Sequence, residues 1–439
     1  MEPMPLQSLL YLSIFLPVSV LVVHRFHGAG KKAALLLFSI FFWYFLDPNH
    51  FLWALILCLL NVVAAKAVSK KGPSFRHRSA IICSLASLVF LALCKFSVMD
   101  SPVGFSFLIF SIVSFQMDGE KDGDGSWSIL DGFLYLSFFP KLTMGPIVRF
   151  SDFCLELKND EAIDRVDLDA GARQCIHGLF KKAVLADLIG EYADLAFART
   201  SQLTTAAAWV GLLLYALQLY YDFSGYSDLA IGSARLFGFR FEKNFDHPYL
   251  STSLTDFWRR WHISLGAWFR NYLYFPLGGS WKGMVRTCMN LLIVFLATGL
   301  WHGAGWTFVL WGLFHGVVMI VERIGLRRHL SLLPHWVQVV YCDLMVCLGW
   351  VLFRSSTLSD AGMYYGHLFG VVTGTTLVRE ILPAHVLVLM IAAIAGAGGF
   401  HSRYKTNAAL RNVIDIVLLV AGIAGLYLGT GAKFIYAQF

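Results

Sequence analysis

The sequence predicts an all-α polytopic membrane protein with about ten to twelve transmembrane helices. Three observations carry that expectation. Of 439 residues, 57% are hydrophobic and 14% charged, against roughly 45–50% and about 25% in soluble domains. Mean hydropathy is +0.63. Apolar runs recur along the chain, many of them near the roughly 20 residues that cross a bilayer. A soluble enzyme of this length needs more polar surface than 28 acids and 35 bases supply.

In chain order the candidate spans are residues 6–23, 33–46, 51–68, 79–99, 103–117, 127–148, 206–221, 288–300, 305–321, 336–353, 386–399 and 413–429. The first lacks a basic flank before it and more apolar segments follow, so it reads as a retained span and not a signal peptide. Pro140 interrupts 127–148, which suits a re-entrant wall; irregular backbone at membrane depth survives only where protein or a cavity surrounds it. Lys66, Lys70, Lys71, Arg76 and Arg78 form an acid-free loop, which the positive-inside rule assigns to the cytoplasm. Arg25, Lys31 and Lys32 then also fall inside and the N-terminus outside. Residues 151–173, with seven acids and three bases, read as a solvated loop leading into an amphipathic helix over 174–196. We expect one membrane-embedded domain: N-terminal spans over 1–100, a core bearing the site over 101–330, and C-terminal spans over 331–439.

Several function classes are excluded or unsupported. No like-charge run or low-complexity tract points to nucleic acid, and a net charge of +7 needs no acidic partner where cytoplasmic loops collect Lys and Arg. Eight cysteines include no C-x-x-C pair, so neither a disulfide framework nor a zinc site is indicated, and no metal is expected. The motifs G-x-x-x-x-G-K-[ST], H-E-x-x-H, G-x-S-x-G and H-x-x-x-x-D are missing from the sequence, which leaves nucleotide hydrolysis, zinc proteolysis and α/β-hydrolase chemistry without a motif.

Polar residues gather instead between apolar runs in the middle of the chain. Over 254–272, a spacing of 100° per residue puts Leu254, Trp258, Trp261, Leu265, Trp268, Phe269 and Tyr272 on one helical face. Asp256, Arg259, Arg260, Arg270 and, at the edge, Asn271 lie opposite, and His262 lies at the edge of the aromatic face. Two readings stand: a helix at the membrane surface with snorkelling arginines, or one lining the mouth of a tunnel with arginines near an anionic donor such as coenzyme A. In 299–316 (GLWHGAGWTFVLWGLFHG), His302 sits where an apolar helix breaks at Gly303 and Gly305, with His315 thirteen residues on. An ionisable group at membrane depth is a functional candidate, and a neutral imidazole suits a general base. A core histidine bonded to a freed carbonyl is the other reading. Two smaller signals are PKLTMGPIVRF (140–150) and YYDFSGYSD (220–228), where Asp222 and Asp228 could hold Arg235 or Arg240.

FFPKLTMGPIVRFSDF, YYDFSGYSDLAIG, DFWRRWHISLGAWFRNYLYFPLGGSWKG, GLWHGAGWTFVLWGLFHG and the terminal FIYAQF together resemble the membrane-bound O-acyltransferase (MBOAT) family, in its bacterial branch that includes the alginate O-acetylation membrane protein. The resemblance runs from about residue 104 to 439 and is most specific over 256–316. It implies a ring of helices around a tunnel. It further implies transfer of an acyl group from a cytoplasmic thioester, acetyl-CoA being the expected donor, to an exported or cell-envelope polysaccharide. The acceptor is reached directly or through an exported SGNH-type acetyltransferase partner. His302 matches the essential histidine of the family's L-W-H-G motif, and His262 the recurrent histidine of R-R-W-H-[IM]-S, which orients the acceptor or stabilises developing negative charge. Arg259, Arg260, Arg270, Asp256 and Trp301 complete the candidate substrate-side set.

Two departures accompany the likeness: Asn271 stands where the branch usually carries Asp, and 105–116 lacks a polar Thr-Phe-Gln run. LGGSWKG resembles the acetylating proteins more than the teichoic-acid D-alanyl transferases. The resemblance implies a multi-pass protein of the bacterial cytoplasmic membrane with no bound cofactor. D-alanyl transfer from a carrier protein is the alternative within the family, and a proton-coupled transporter the alternative outside it.

Overall fold

The computed structural model describes residues 4–96, 102–121, 126–158, 164–398 and 407–428. The chain is an all-α, multi-pass membrane protein. Among the described residues seven helices are long and apolar enough to cross a membrane, and three shorter apolar helices accompany them. The terminal FIYAQF and the span ends at Met99, Gly399 and Gly429 lie outside the described residues.

Packing divides the chain into two compact units, Met1–Gly178 with Tyr226–Lys243, and Leu179–Gly225 with Asn244–Phe439. The first contains α1 (Leu16–Val23), α2 (Gly28–Leu46), α3 (Phe51–Val68), α4 (Pro73–Lys95), α5 (Phe105–Gly119), α6 (Ile129–Ser137), α7 (Phe150–Lys158) and α8 (Arg165–Phe180). The run 127–148 is interrupted at Pro140, as its sequence suggests, and two other expectations are corrected. Ser128 and Asp131 cap α6 reciprocally, but Pro140 removes a helical donor, and the chain passes through a 3₁₀ turn at Phe139–Lys141 into buried irregular backbone. The stretch 151–173 is largely helical as α7 and the start of α8, since Asp152 and Asp167 sit in first turns where the helix dipole favours acids. Arg235 and Arg240 bind neither Asp222 nor Asp228: both converge on Asp167, at 3.0 and 2.7 Å, while Asp228 accepts from Gln174 at 3.1 Å.

The second unit holds α9 (Asp187–Ala198), the first part of α10 (Thr205–Arg235), α11 (Leu254–Arg260), α12 (Ile263–Phe269), α13 (Met284–His302), α14 (Trp306–Val321), α15 (Arg327–Leu330), α16 (His335–Arg354), α17 (Leu358–Leu368), α18 (Val378–Ile381), α19 (Ala384–Ala397) and α20 (Ala408–Leu428). Asp222 takes the buried Lys182 as its partner at 2.6 Å, and Lys182 also reaches Asp187 at 2.7 Å. That ion cluster fixes the α10 segment from which Phe223 projects.

The hairpin of α13 and α14 carries two of the site histidines, and glycine sets its closeness. A Cβ on Gly312 would lie 2.3 Å from the Phe295 carbonyl oxygen, and one on Gly299 would lie 2.4 Å from that of Phe308. Small residues of this kind let membrane helices approach backbone to backbone, where packing rather than hydrophobicity drives association. Gly312→Ala therefore forces the hairpin apart. It is expected to destabilise the protein by about 1–3 kcal/mol, read as a lowered unfolding midpoint in detergent. Gly362→Ala, inside α17 where the added carbon meets nothing within 4 Å, does not lower the midpoint and is expected to raise it slightly through helix propensity.

Candidate active site

The basic, aromatic stretch 254–272 is where the site begins, and it is not the continuous helix its periodicity predicts. α11 is capped by Ser253, whose hydroxyl accepts from the Asp256 amide at 3.2 Å. The buried Glu322 carboxylate takes the Leu254 N–H at 2.9 Å. The helix then stops. Trp261 is extended (φ −100°, ψ 126°) and His262 is left-handed (φ 46°, ψ 55°) before α12 resumes. The cause is Asn244: its carbonyl accepts the Ile263 N–H at 3.0 Å, and the nearby Asp246 N–H bonds the Arg260 carbonyl at 2.9 Å. The aromatic stripe packs inward, with Leu254, Trp261, Leu265, Trp268 and Phe269 all buried. Burial on this scale favours a wall of the protein over a helix lying on the membrane surface.

That wall encloses one side of a cavity of about 420 Å³, within the usual size range for small-molecule sites. Trp258, Trp261, His262, Leu265 and Phe269 line it from α11 and α12, Leu291, Val294, Phe295 and Thr298 from α13, and Met319 from α14. Four arginines also line it, Arg259, Arg270, Arg323 and Arg327, all exposed, and no carboxylate appears among the lining residues. An apolar chamber rimmed by cations suits an anionic molecule with an apolar or neutral arm.

His262 is the histidine on the cavity wall. It is 2% exposed, its ring packs edge-on against Phe223 at 4.5 Å, and its Nδ1 lies 3.3 Å from Asn244 Oδ1. Nε2 is buried and meets no hydrogen-bond partner among the described residues. Burial pulls the ring's pKa down to about 3, so it is a neutral imidazole near neutral pH.

His302 ends α13 one turn beyond Thr298 on the same helical face. It is buried in an aromatic box, with ring centroids 4.7 Å from Trp301, 5.2 Å from Trp311 and 4.9 Å from Phe353. Neither His302 nor Trp301 is among the residues lining the cavity; Trp301 lies 6.3 Å from the His262 ring in a tilted contact and meets His302 edge-on, so it links the two histidines. His315 is fully buried against Trp258 and Trp311 at 5.1 and 5.0 Å. Of the remaining candidates, Arg259 and Arg270 reach the cavity, while Arg260 turns to Asp256 at 3.1 Å in a helix-surface ion pair; neither of that pair lines the cavity.

Reading the sequence missed four residues. Asn244 and Glu322 act on 262 and 254 from 18 and 68 positions away, too far for any local pattern to relate them. Arg323 and Arg327 follow an apolar span, where they read as ordinary positive-inside charges; their spacing of four, one helical face, was the available signal.

Burial of His262 makes stability depend on pH, with a definite sign. Its folded pKa lies below the ordinary value near 6.5, so between those two values only the unfolded chain binds the proton. The contribution is complete above pH 6.5 and declines as pH falls toward 3, by up to about 1.4 kcal/mol per pH unit. His262→Gln should flatten the acid side of the unfolding midpoint measured against pH in detergent; a slope identical to wild type would contradict this.

The family described as MBOAT, membrane-bound O-acyltransferase family, matches residues 30–354. The chain is 40% identical over 300 residues to the probable alginate O-acetylase AlgI of Pseudomonas fluorescens, covering 67% of this chain and 59% of that protein. It is 40% identical over 237 residues to the peptidoglycan O-acetyltransferase of Helicobacter pylori, covering 53% and 45%. With the teichoic acid D-alanyltransferase of Bacillus subtilis it shares 26% over 380 residues, covering 77% and 94%. The match thus spans somewhat under two thirds of the length of the alginate O-acetylase relative. Matched over most of its length, the chain belongs to the membrane-bound O-acyltransferase family.

Proposed function

We propose that the protein transfers an acetyl group from a cytoplasmic thioester, acetyl-CoA, to hydroxyl groups of an exported or cell-envelope polysaccharide. The transfer proceeds directly or through an exported acetyltransferase partner, at the bacterial cytoplasmic membrane with the N-terminus outside. The observation that carries this reading is the apolar cavity ringed by Arg259, Arg270, Arg323 and Arg327, with a neutral imidazole in its wall. The names of the 40%-identical relatives support acetyl as the group moved.

In chemical terms, the acceptor oxygen attacks the thioester carbonyl carbon. The new C–O bond forms as the C–S bond breaks, and the hydroxyl proton passes to an imidazole and on to the departing thiolate. His302 is the proposed base, and His262 the group that orients the acceptor. A positioned base contributes about 10²–10⁴-fold; holding thioester and hydroxyl together in a water-poor chamber supplies the larger remainder. The arginines are proposed to hold the donor's phosphates at the cytoplasmic mouth, in keeping with the positive-inside rule. Arg260 and Asp256, paired with each other, are proposed to hold α11 rather than substrate. D-alanyl transfer remains the second reading, favoured by a match that covers 94% of the Bacillus subtilis D-alanyltransferase.

The test is base-labile acetate on the cell's exported polysaccharide, in cells lacking the gene and rescued with wild type or His302→Ala. Acetate restored by wild type alone, at equal membrane levels of both proteins, is the expected result. Acetate independent of the gene, with D-alanine lost instead, would transfer the assignment to the second reading. Arg323→Gln with Arg327→Gln should raise the donor KM about tenfold or more and change kcat little; an unchanged KM removes the donor role of these residues.

A further inference from the structure

The carboxamide of Asn244 is 2% exposed and its Oδ1 is approached from three directions: by the Ser264 backbone N–H at 3.1 Å, the Ser264 hydroxyl at 2.9 Å and His262 Nδ1 at 3.3 Å. A backbone N–H can only donate, so the atom facing it is the oxygen and not the amide nitrogen. An oxygen cannot donate back. Nδ1 of His262 must then carry the ring hydrogen, and in a neutral imidazole Nε2 is left with its lone pair. Nε2 is also the atom that is buried and meets no partner among the described residues, on a residue that lines the cavity.

We propose that Asn244 is a positioning residue for acyl transfer, locking His262 in the tautomer whose Nε2 accepts a hydrogen bond from a hydroxyl of the acceptor next to the one whose proton His302 takes. This rests on the acyl-transfer reading and decides between two roles for His262. In this tautomer the ring orients a hydroxyl by accepting its hydrogen bond; it has no Nε2 hydrogen with which to stabilise a developing oxyanion. The backbone of the same residue holds the left-handed turn at 262 through the Ile263 N–H, so one asparagine sets both where the ring sits and which nitrogen accepts.

The groups around the ring sharpen the prediction. Phe223 of α10 packs on its face and Trp301 of α13 stands beyond it, followed by His302. The charges on the shared wall are Arg259, Arg270, Arg323 and Arg327, all cations, which oppose protonation of the ring. A carboxylate at 244 would place an anion directly against the ring's Nδ1. It would keep an oxygen for both Ser264 donors while favouring the imidazolium, whose Nε2 can no longer accept.

The experiment uses membrane vesicles from the native cell, which carry the natural acceptor, supplied with acetyl-labelled acetyl-CoA. Polymer-bound base-labile label is followed against pH for wild type, Asn244→Ala and Asn244→Asp. Asn244→Ala is expected to lower the maximal rate about 10- to 100-fold with the donor KM within about twofold. Asn244→Asp is expected to approach the wild-type rate at alkaline pH, with its acid limb moved upward by about one pH unit or more. Equal, pH-independent losses in both variants would mark a purely structural tie and overturn the inference, as would a wild-type rate in Asn244→Ala. If wild-type vesicles transfer no label, the acetyl-transfer reading itself fails, whereas a failure of the inference about Asn244 is read from the variants against an active wild type.

Discussion

A left-handed backbone at a residue with a side chain costs about 1–2 kcal/mol, and His262 adopts one (φ 46°) in the middle of a stretch whose periodicity asks for helix. Asn244 makes it hold. Its backbone carbonyl and its carboxamide together bond both residues after the kink, Ile263 and Ser264, as well as the imidazole itself. At about 0.5–1.5 kcal/mol net per hydrogen bond, that set more than offsets the strained turn. The rest of the site depends on this break. Without it His262 would stay on the edge of a straight helix, and α11 and α12 would not bend to form a cavity wall with Arg259 and Arg270 on its rim.

The surrounding frame is built so that this one polar group stands in apolar surroundings. Glycines at 299 and 312 bring α13 and α14 close enough for Trp311, Phe353 and Trp301 to box His302. Glu322, from the end of the same hairpin, caps α11 and so ties the arginine-bearing helix to the helices behind it. Lys182 is neutralised between Asp187 and Asp222 in the frame. The rim arginines are left facing a chamber without a lining carboxylate.

Much of this was legible in the sequence. Composition and apolar runs revealed the class, since a bilayer leaves few other ways to satisfy the backbone. The Gly-flanked His302 and the aromatic and arginine-rich run around His262 stood out in the sequence, and the structure brings Arg259, Arg270 and His262, but not His302, to the wall of one cavity. Legibility failed wherever a long-range contact overrode a local pattern. Nothing within 254–272 signals a break at 261–262, because no Gly or Pro stands there; the cause lies at Asn244. The acids over 151–173 suggested solvated loop, yet Asp152 and Asp167 sit in the first turns of helices. Arg260, indistinguishable from Arg259 by type, is drawn off by Asp256 one turn away. Asp222 finds its cation at Lys182, forty residues upstream, rather than at the arginines that follow it.

The central claim is that this cavity performs thioester-dependent acyl transfer, and turnover by the purified protein in liposomes tests it most directly. Free thiol released from acetyl-CoA is followed with and without a polysaccharide acceptor isolated from the same cells. The account predicts acceptor-dependent thiol release that stops when either His302 or His262 is replaced, with the protein still folded. Well-folded wild-type protein that releases no thiol with acceptor present, yet moves protons across the same liposomes, would contradict it and return the buried histidines to a transport role.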